Sequence, residues 1–210
     1  MTDIVATNET ILVVGGGISG MTAALEAAEC GKQVILVEKN PAVGGRVSQL
    51  YRYFPKLCHP TCGLEINLKR MRAQKNLRLL TMTEVTDVQG EAGNYSVTLQ
   101  VHPRYVNENC TACGACAEAV EAEFDDEHNY NLGKRKGAYL PNAMAYPQRY
   151  VLDPRIIGTP DADKAKEACK YNAIDLDMQE TTSTITVGAI IWATGWRPGS
   201  PSADSRTGTG

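Results

Sequence analysis

The sequence predicts an α/β fold: a parallel β-sheet domain interrupted by a cysteine-rich module of different character. Three observations carry this. An apolar run, Ile11-Leu12-Val13-Val14, enters a glycine-rich turn, Gly15-Gly16-Gly17-Ile18-Ser19-Gly20, and a helical period follows. A second apolar run, Val34 to Val37, ends on Glu38. Far downstream, Cys110, Cys113 and Cys116 recur at even spacing.

Strand, glycine turn and helix in that order make a phosphate-binding unit. Gly15 allows the tight turn, Gly17 lets the backbone approach a pyrophosphate, and Gly20 lets the helix lie against the strand. Gly16 and Ser19 complete the cradle at a helix N-terminus, whose free N–H groups attract anions. Glu38 stands where a carboxylate accepts hydrogen bonds from a ribose. G-x-G-x-x-G alone is a common turn, and a plain βαβ unit without ligand is the alternative. The strand before it, the helix after it and the acid downstream favour the nucleotide. The helix sets Ile18, Met21, Leu25 and Ala28 on one face and stops at Gly31. Cys30, just before the stop, reads as a small helix residue without chemistry.

At 210 residues the chain has one or two domains and ample length for a core. Apolar content of 43% and charged content of 21% are ordinary for a globular protein. A net charge of −3 gives no reason to expect nucleic acid. No stretch is long and apolar enough to span a bilayer. Met1 to Thr10 carries no basic residue, so no secretory signal is expected. The expectation is a cytoplasmic chain that meets the membrane only through partner subunits. Seven cysteines in such a compartment read as metal ligands or redox thiols rather than disulfides.

The rest of the chain follows in order. Cys58 and Cys62 flank His59 in a loop and suit a dithiol, cluster ligands, partner-facing residues or simply a structural lead-in to a helix. His59 suits a ligand or a general acid equally. A helix is predicted from Gly63 to Gln74, with Leu64, Leu68 and Met71 inward and Lys69, Arg70, Arg72 and Lys75 solvated. Leu77 to Val101 alternates like strands around a turn at Gly90 to Asn94.

Composition shifts at His102-Pro103, and the cysteine triple follows. C-x2-C-x2-C wraps one face of a 4Fe-4S cube, and Gly114 relieves crowding where the backbone curls. In two-cluster ferredoxins a further cysteine, where this chain has Val120, ligates the other cluster, so this loop serves no second cluster; the fourth ligand of its own cluster must come from elsewhere, and Cys169 fits. Zinc is the weaker alternative, because zinc sites usually pair two separated ligand units. Glu121 to Glu127 and Lys134-Arg135-Lys136 read as solvated faces, and Tyr139, Tyr146 and Tyr150 as an ordered irregular excursion. Thr184 to Val187 is a predicted strand, and Gly188 to Gly195 a buried one closing on Ala193-Thr194-Gly195. A low-complexity tail ends the chain, without a second G-x-G-x-x-G.

The order of these motifs resembles the two-dinucleotide-binding-domain flavoproteins of the glutathione reductase superfamily. Within it, residues 10–197 resemble the A-subunit family of heterodisulfide reductase. The resemblance implies a Rossmann-like FAD-binding domain, the FAD half of that superfamily, with an inserted ferredoxin-like iron–sulfur module. Lys39 and Gly44-Gly45-Arg46 then lie near the FAD diphosphate, Val85 meets the adenine through its backbone, and Ala193-Thr194-Gly195 ends the FAD half. Glu167 to Asp175 resembles the second half of a ferredoxin, with Lys170 in place of the usual proline. The implied layout is FAD-binding over 1–102 and 179–197, the 4Fe-4S module over 103–178, and a disordered tail over 198–210. Residues 44–66 and 145–151 resemble the flavin-binding A component of the quinone-interacting membrane-bound oxidoreductase of sulfate reducers. That implies an electron-transfer subunit carrying FAD and one 4Fe-4S cluster. It would work between a quinone-linked or iron–sulfur partner and a sulfur-metabolism reductase such as adenylylsulfate reductase. The missing second half reads as a truncated chain or part of a longer one. The alternatives are a flavin-dependent thiol–disulfide reductase using Cys58 and Cys62, and a cofactor-binding fragment that works only within a complex.

Overall fold

A parallel sheet forms where the apolar runs are continuous. The computed structural model describes residues 8–52 and 54–196. The first residues, read as lacking a signal, and the tail from residue 198 lie outside them. The chain opens with β1 (Ile11–Val14), α1 (Ile18–Glu29), β2 (Val34–Glu38), α2 (Thr61–Ala73) and β3 (Leu77–Thr81). β2 lies between β1 and β3, all parallel, with Ile11 opposite Val34 and Val34 opposite Leu77. One face of this sheet meets the helices through Val13, Met21, Leu25, Leu36, Leu64 and Met71. α2 begins at Thr61, earlier than the expected Gly63, so Cys62 sits in its first turn.

The other face is covered by an antiparallel sheet. β4 (Thr83–Glu91) and β5 (Asn94–Val101) form a hairpin in which Glu91 pairs with Asn94. The turn is therefore Ala92-Gly93, tighter than the sequence suggested. Leu12 and Val37 of the parallel sheet pack with Val97, Leu99 and Val187 of this second layer.

The chain then leaves and comes back to the same point. α3 (Ala115–Ala119), β6 (Glu123–Asp125), β7 (Lys134–Lys136), β8 (Ala138–Tyr139), β9 (Val151–Leu152) and α4 (Pro160–Ala168) precede β10 (Thr181–Val187) and β11 (Ala189–Trp192). β10 pairs antiparallel with β5, from Thr181 opposite Val101 to Val187 opposite Tyr95. The intervening stretch has a core of its own, in which Val106, Val120, Leu152, Ile156, Ala165 and Ile174 are buried. Val120 is 1% exposed, so the position where a further cysteine was conceivable is packed inside that core.

Two expectations need correction. Gly188 to Gly195 does not form a buried strand: among the described residues β11 is the edge of the parallel sheet, pairing only with β1, and Trp192 is 57% exposed. Its apolar run resembles a two-sided strand, but among the described residues one side has no neighbour. The acidic run is exposed as expected, and in the basic run only Arg135 departs from a solvated face. β6 pairs with β7 so that Glu123 faces Lys136 and Asp125 faces Lys134, each as an ion pair. Arg135 turns inward, where it bonds Asp153 at 2.9 Å and Glu127 at 2.8 Å and lies over the Tyr139 ring.

Burial alone would raise the Asp153 carboxyl. Hydrogen bonds from the Arg155 side chain and backbone and from Arg135 outweigh it and hold the carboxyl at about 2. A depressed carboxylate stabilises the fold above its unfolded pKa near 4, and this stabilisation fades as pH falls toward the folded value. Asp153→Asn is therefore expected to cost about 3 kcal/mol in urea unfolding at pH 7. The difference from the parent chain should shrink below pH 4. A pH-independent difference would show that the carboxylate charge is not what Arg135 and Arg155 hold.

Candidate functional site

The glycine cradle is built by backbone contacts that side chains would block. Gly15 has φ +108°, and a Cβ there would lie 2.3 Å from the Ala193 carbonyl oxygen. A Cβ on Gly20 would lie 1.8 Å from the Gly15 carbonyl oxygen and 3.2 Å from Ala193 Cβ. At Gly17 only the Gly45 Cα stands, at 4.0 Å, so the backbone there is bare on the side that faces the turn. Gly17 caps α1, whose first intrahelical bond is Met21 N–H to the Gly17 carbonyl at 2.9 Å. The N–H groups of Ile18, Ser19 and Gly20 have no acceptor within the helix.

The second glycine pair is pinned to the first. Gly44 N–H donates to the Gly16 carbonyl at 2.8 Å, and Gly17 and Gly44 form a bridge. Gly44 and Gly45 both have positive φ, at +125° and +55°. Arg46 reaches the end of the last strand: its Nε donates to the Trp196 carbonyl at 2.8 Å, and its guanidinium lies 4.8 Å from the indole centre. Ala193 N–H donates to the Val14 carbonyl at 2.8 Å, so Ala193-Thr194-Gly195 abuts the first turn. Lys39 is exposed, and Val85 lies in β4 at a break in register with β5.

Glu38 is buried, and its carboxylate is occupied within the protein. Oε2 accepts from Gly16 N–H at 2.6 Å, and Oε1 accepts from the Asn40 backbone N–H at 2.8 Å and side-chain N–H at 2.7 Å. The acid expected at a ribose thus also braces the glycine turn.

The cysteine cradle joins segments distant in sequence. Val106 bridges to Ile174, and Asn107 N–H donates to the Ala173 carbonyl at 2.7 Å. This brings the Cys110 loop beside Cys169, which caps the end of α4. Gly114, at φ +90°, starts α3 and turns Cys116 inward. Cys110, Cys113, Cys116 and Cys169 line one pocket together with Tyr150 and Tyr171. Ala112 N–H donates to Cys110 Sγ at 3.4 Å, and Ala173 N–H donates to Cys169 Sγ at 3.3 Å. Burial, then the charge of Cys110, pushes the Cys116 thiol up to about 11, with Cys169 and Cys113 adding to it. Four sulfurs this close ionise together only beside a positive charge, which is the chemistry of a metal-binding donor set. Among the described residues, no group of three or more His, Cys, Asp or Glu side chains is placed to hold a metal ion.

The other cysteines stand apart. Cys62 is exposed, and Cys58 is half-buried with its thiol 3.7 Å from the Lys56 carbonyl. His59 packs edge-on to Tyr51, with ring centres 5.2 Å apart. None of these three lines the cysteine pocket. Cys30 caps the end of α1 and is exposed. Arg104, which is buried, is a residue that sequence spacing could not single out, and Tyr150, read from sequence only as part of an irregular excursion, stands on the pocket wall. Arg104 belongs to no repeat or motif.

The family of FAD dependent oxidoreductases matches residues 10–85, the stretch holding both glycine turns. The iron-sulfur A component of CoB–CoM heterodisulfide reductase from Methanocaldococcus jannaschii is 39% identical over 197 residues, covering 92% of this chain and 29% of that protein. An A component of the same enzyme from Methanopyrus kandleri is 38% identical over 95% of this chain and 30% of that protein. The chain is similar to the heterodisulfide reductase A components. Its likeness runs through the cysteine stretch as well as the glycine turns, since more than nine-tenths of it aligns. It spans less than a third of the length of these relatives. Among solved structures, the thioredoxin reductase of Lactococcus lactis aligns with 42% of this chain and 30% of its own, at 19% identity and a TM-score of 0.33.

Proposed function

We propose that the chain holds one FAD and one 4Fe-4S cluster and passes electrons between them as part of a larger oxidoreductase of the heterodisulfide reductase type. The observation that carries this is one pocket lined by Cys110, Cys113, Cys116 and Cys169, in a chain whose glycine turns match FAD-dependent oxidoreductases. A flavin exchanges electrons in pairs or singly and a cluster only singly, so together they couple the two kinds of traffic.

The residues have separate tasks. Gly17 and the first turn of α1 offer bare backbone and partial positive charge to a diphosphate. Gly45 keeps the second turn close, because a Cβ there would lie 2.9 Å from Gly17 Cα. The N–H groups of Ala112 and Ala173 bond the Cys110 and Cys169 sulfurs, an arrangement that favours added negative charge on the cluster. Burial and the neighbouring thiols raise the Tyr150 hydroxyl, which therefore stays protonated and neutral against the pocket. A tetrahedral zinc ion would draw its sulfurs to about 2.3 Å from one point. Four cysteines around one pocket, three of them in a C-x2-C-x2-C run rather than in two separated ligand pairs, suit a multi-iron group better.

The partners follow from the same reading. The other subunits of a heterodisulfide-reductase-like or quinone-interacting complex supply and remove electrons, with a quinone-linked or iron–sulfur donor and a sulfur-metabolism reductase such as adenylylsulfate reductase at the two ends. The chain works in the cytoplasm and reaches the membrane through those subunits. No helix among the described residues is long and apolar enough to cross a membrane.

Photoreduction of the flavin under anaerobic conditions tests the relay. The expected result is loss of flavin absorbance followed by the low-temperature EPR signal of a reduced cluster. A cluster that dithionite reduces but the photoreduced flavin does not would sink the proposal.

A further inference from the structure

Arg104 is 7% exposed, one of the few buried charges in the protein. Its Nη1 donates to the Arg149 carbonyl at 3.0 Å. Its Nη2 donates to Thr81 Oγ1 at 2.9 Å and to the Pro41 carbonyl. These acceptors belong to three different parts of the molecule. Pro41 leads into the second glycine turn, Thr81 ends β3, and Arg149 adjoins Tyr150 on the wall of the cysteine pocket. One guanidinium thus ties both cradles to the sheet.

All three acceptors are neutral. Among the described residues no carboxylate lies within ion-pair distance of this guanidinium, although Arg149 next to it reaches Glu108 at 3.5 Å. A buried cation with only neutral partners is unfavourable unless a negative charge stands nearby. Burial, then Arg149, pushes the Arg104 guanidinium down to about 10, while Tyr139 and Cys110 pull it back up. Arg149, whose carbonyl holds Nη1, immediately precedes Tyr150, which lines the pocket with Cys110, so the guanidinium is anchored one residue from the pocket wall.

We propose that Arg104 is a positioning residue that joins the two cradles and supplies the fixed positive charge that raises the reduction potential of the cluster. The inference rests on the cluster reading of the cysteine pocket. Reduction adds one electron, and so one negative charge, to a group already ringed by thiolates. A fixed cation in a low-dielectric interior favours that reduced form.

The test is a potentiometric titration, followed by EPR, of the anaerobically reconstituted chain and its Arg104→Gln, Arg104→Lys and Thr81→Val variants. Iron and FAD are quantified first. Arg104→Gln is expected to shift the reduction equilibrium on the order of tenfold toward the oxidised cluster, about 59 mV for one electron. Arg104→Lys and Thr81→Val, which keep the charge, are expected to stay within about twofold of the parent. Equal potentials in all four proteins would overturn the inference while leaving the cluster reading intact. So would a shift in Lys or Val as large as in Gln, which would make hydrogen-bond geometry the cause. If the Gln variant does not fold, the Lys and Val variants still decide, since a tenfold shift in either contradicts a role for charge. A parent chain without iron overturns both readings.

Discussion

Cys169→Ser is expected to empty the cysteine pocket of iron while FAD stays bound. This is the largest effect foreseen for any single substitution. Iron should fall from about four per chain to near zero, because a hydroxyl is a poor substitute for a thiolate on iron. The pocket wall should survive, since Val106, Leu152, Ala165 and Ile174 form a core without the metal. Cys116→Ser should do the same from the other side of the pocket. Cys58→Ser and Cys62→Ser should leave the iron count unchanged, because neither residue lines that pocket. Iron analysis with visible absorbance checks all four. Full iron in Cys169→Ser would mean that the fourth ligand is not the residue the fold brings to the triple.

Gly20→Ala is expected to show the reverse pattern, with FAD lost and iron retained. The added methyl would lie 1.8 Å from the Gly15 carbonyl oxygen and 3.2 Å from Ala193 Cβ, and neither can move away as the end of a flexible side chain could. Either α1 shifts off the sheet or the glycine turn opens, and both spoil the diphosphate cradle. Overpacking of this kind costs about 1–3 kcal/mol in stability. Gly63 is the matched control. It lies within α2 with nothing near its absent Cβ, so Gly63→Ala should keep FAD and gain up to about 1 kcal/mol from helix propensity. The ratio of flavin to protein absorbance after gel filtration, with thermal unfolding, reads both outcomes. Normal flavin content in Gly20→Ala would remove the glycine turn from the flavin site.

How much of this was legible in the sequence depended on whether the signal was local. The first glycine turn was legible because each glycine answers one steric demand, visible as a residue type at a fixed spacing. Counting the four thiolates a cube would need singled out Cys169, and the structure sets it on the wall of the same pocket as the triple. The strands flanking the excursion were legible by alternation. β11 misled because a strand's apolar run reports what its side chains can bury, not how many neighbours it has. Arg135 misled because its run looks solvated alone, and only the fold brings Asp153 and Glu127 to its guanidinium. Arg104 was invisible for the same reason. Its acceptors lie 63, 23 and 45 residues away along the chain, and no local pattern encodes such a junction.

Metal and sulfide analysis of the chain purified without oxygen tests the central claim most directly, that four distant cysteines make one cluster site beside a flavin cradle. The account predicts about four irons, matching sulfide and one FAD per chain, with no stoichiometric zinc. One zinc per chain and no iron, in a protein that still binds FAD, would contradict it.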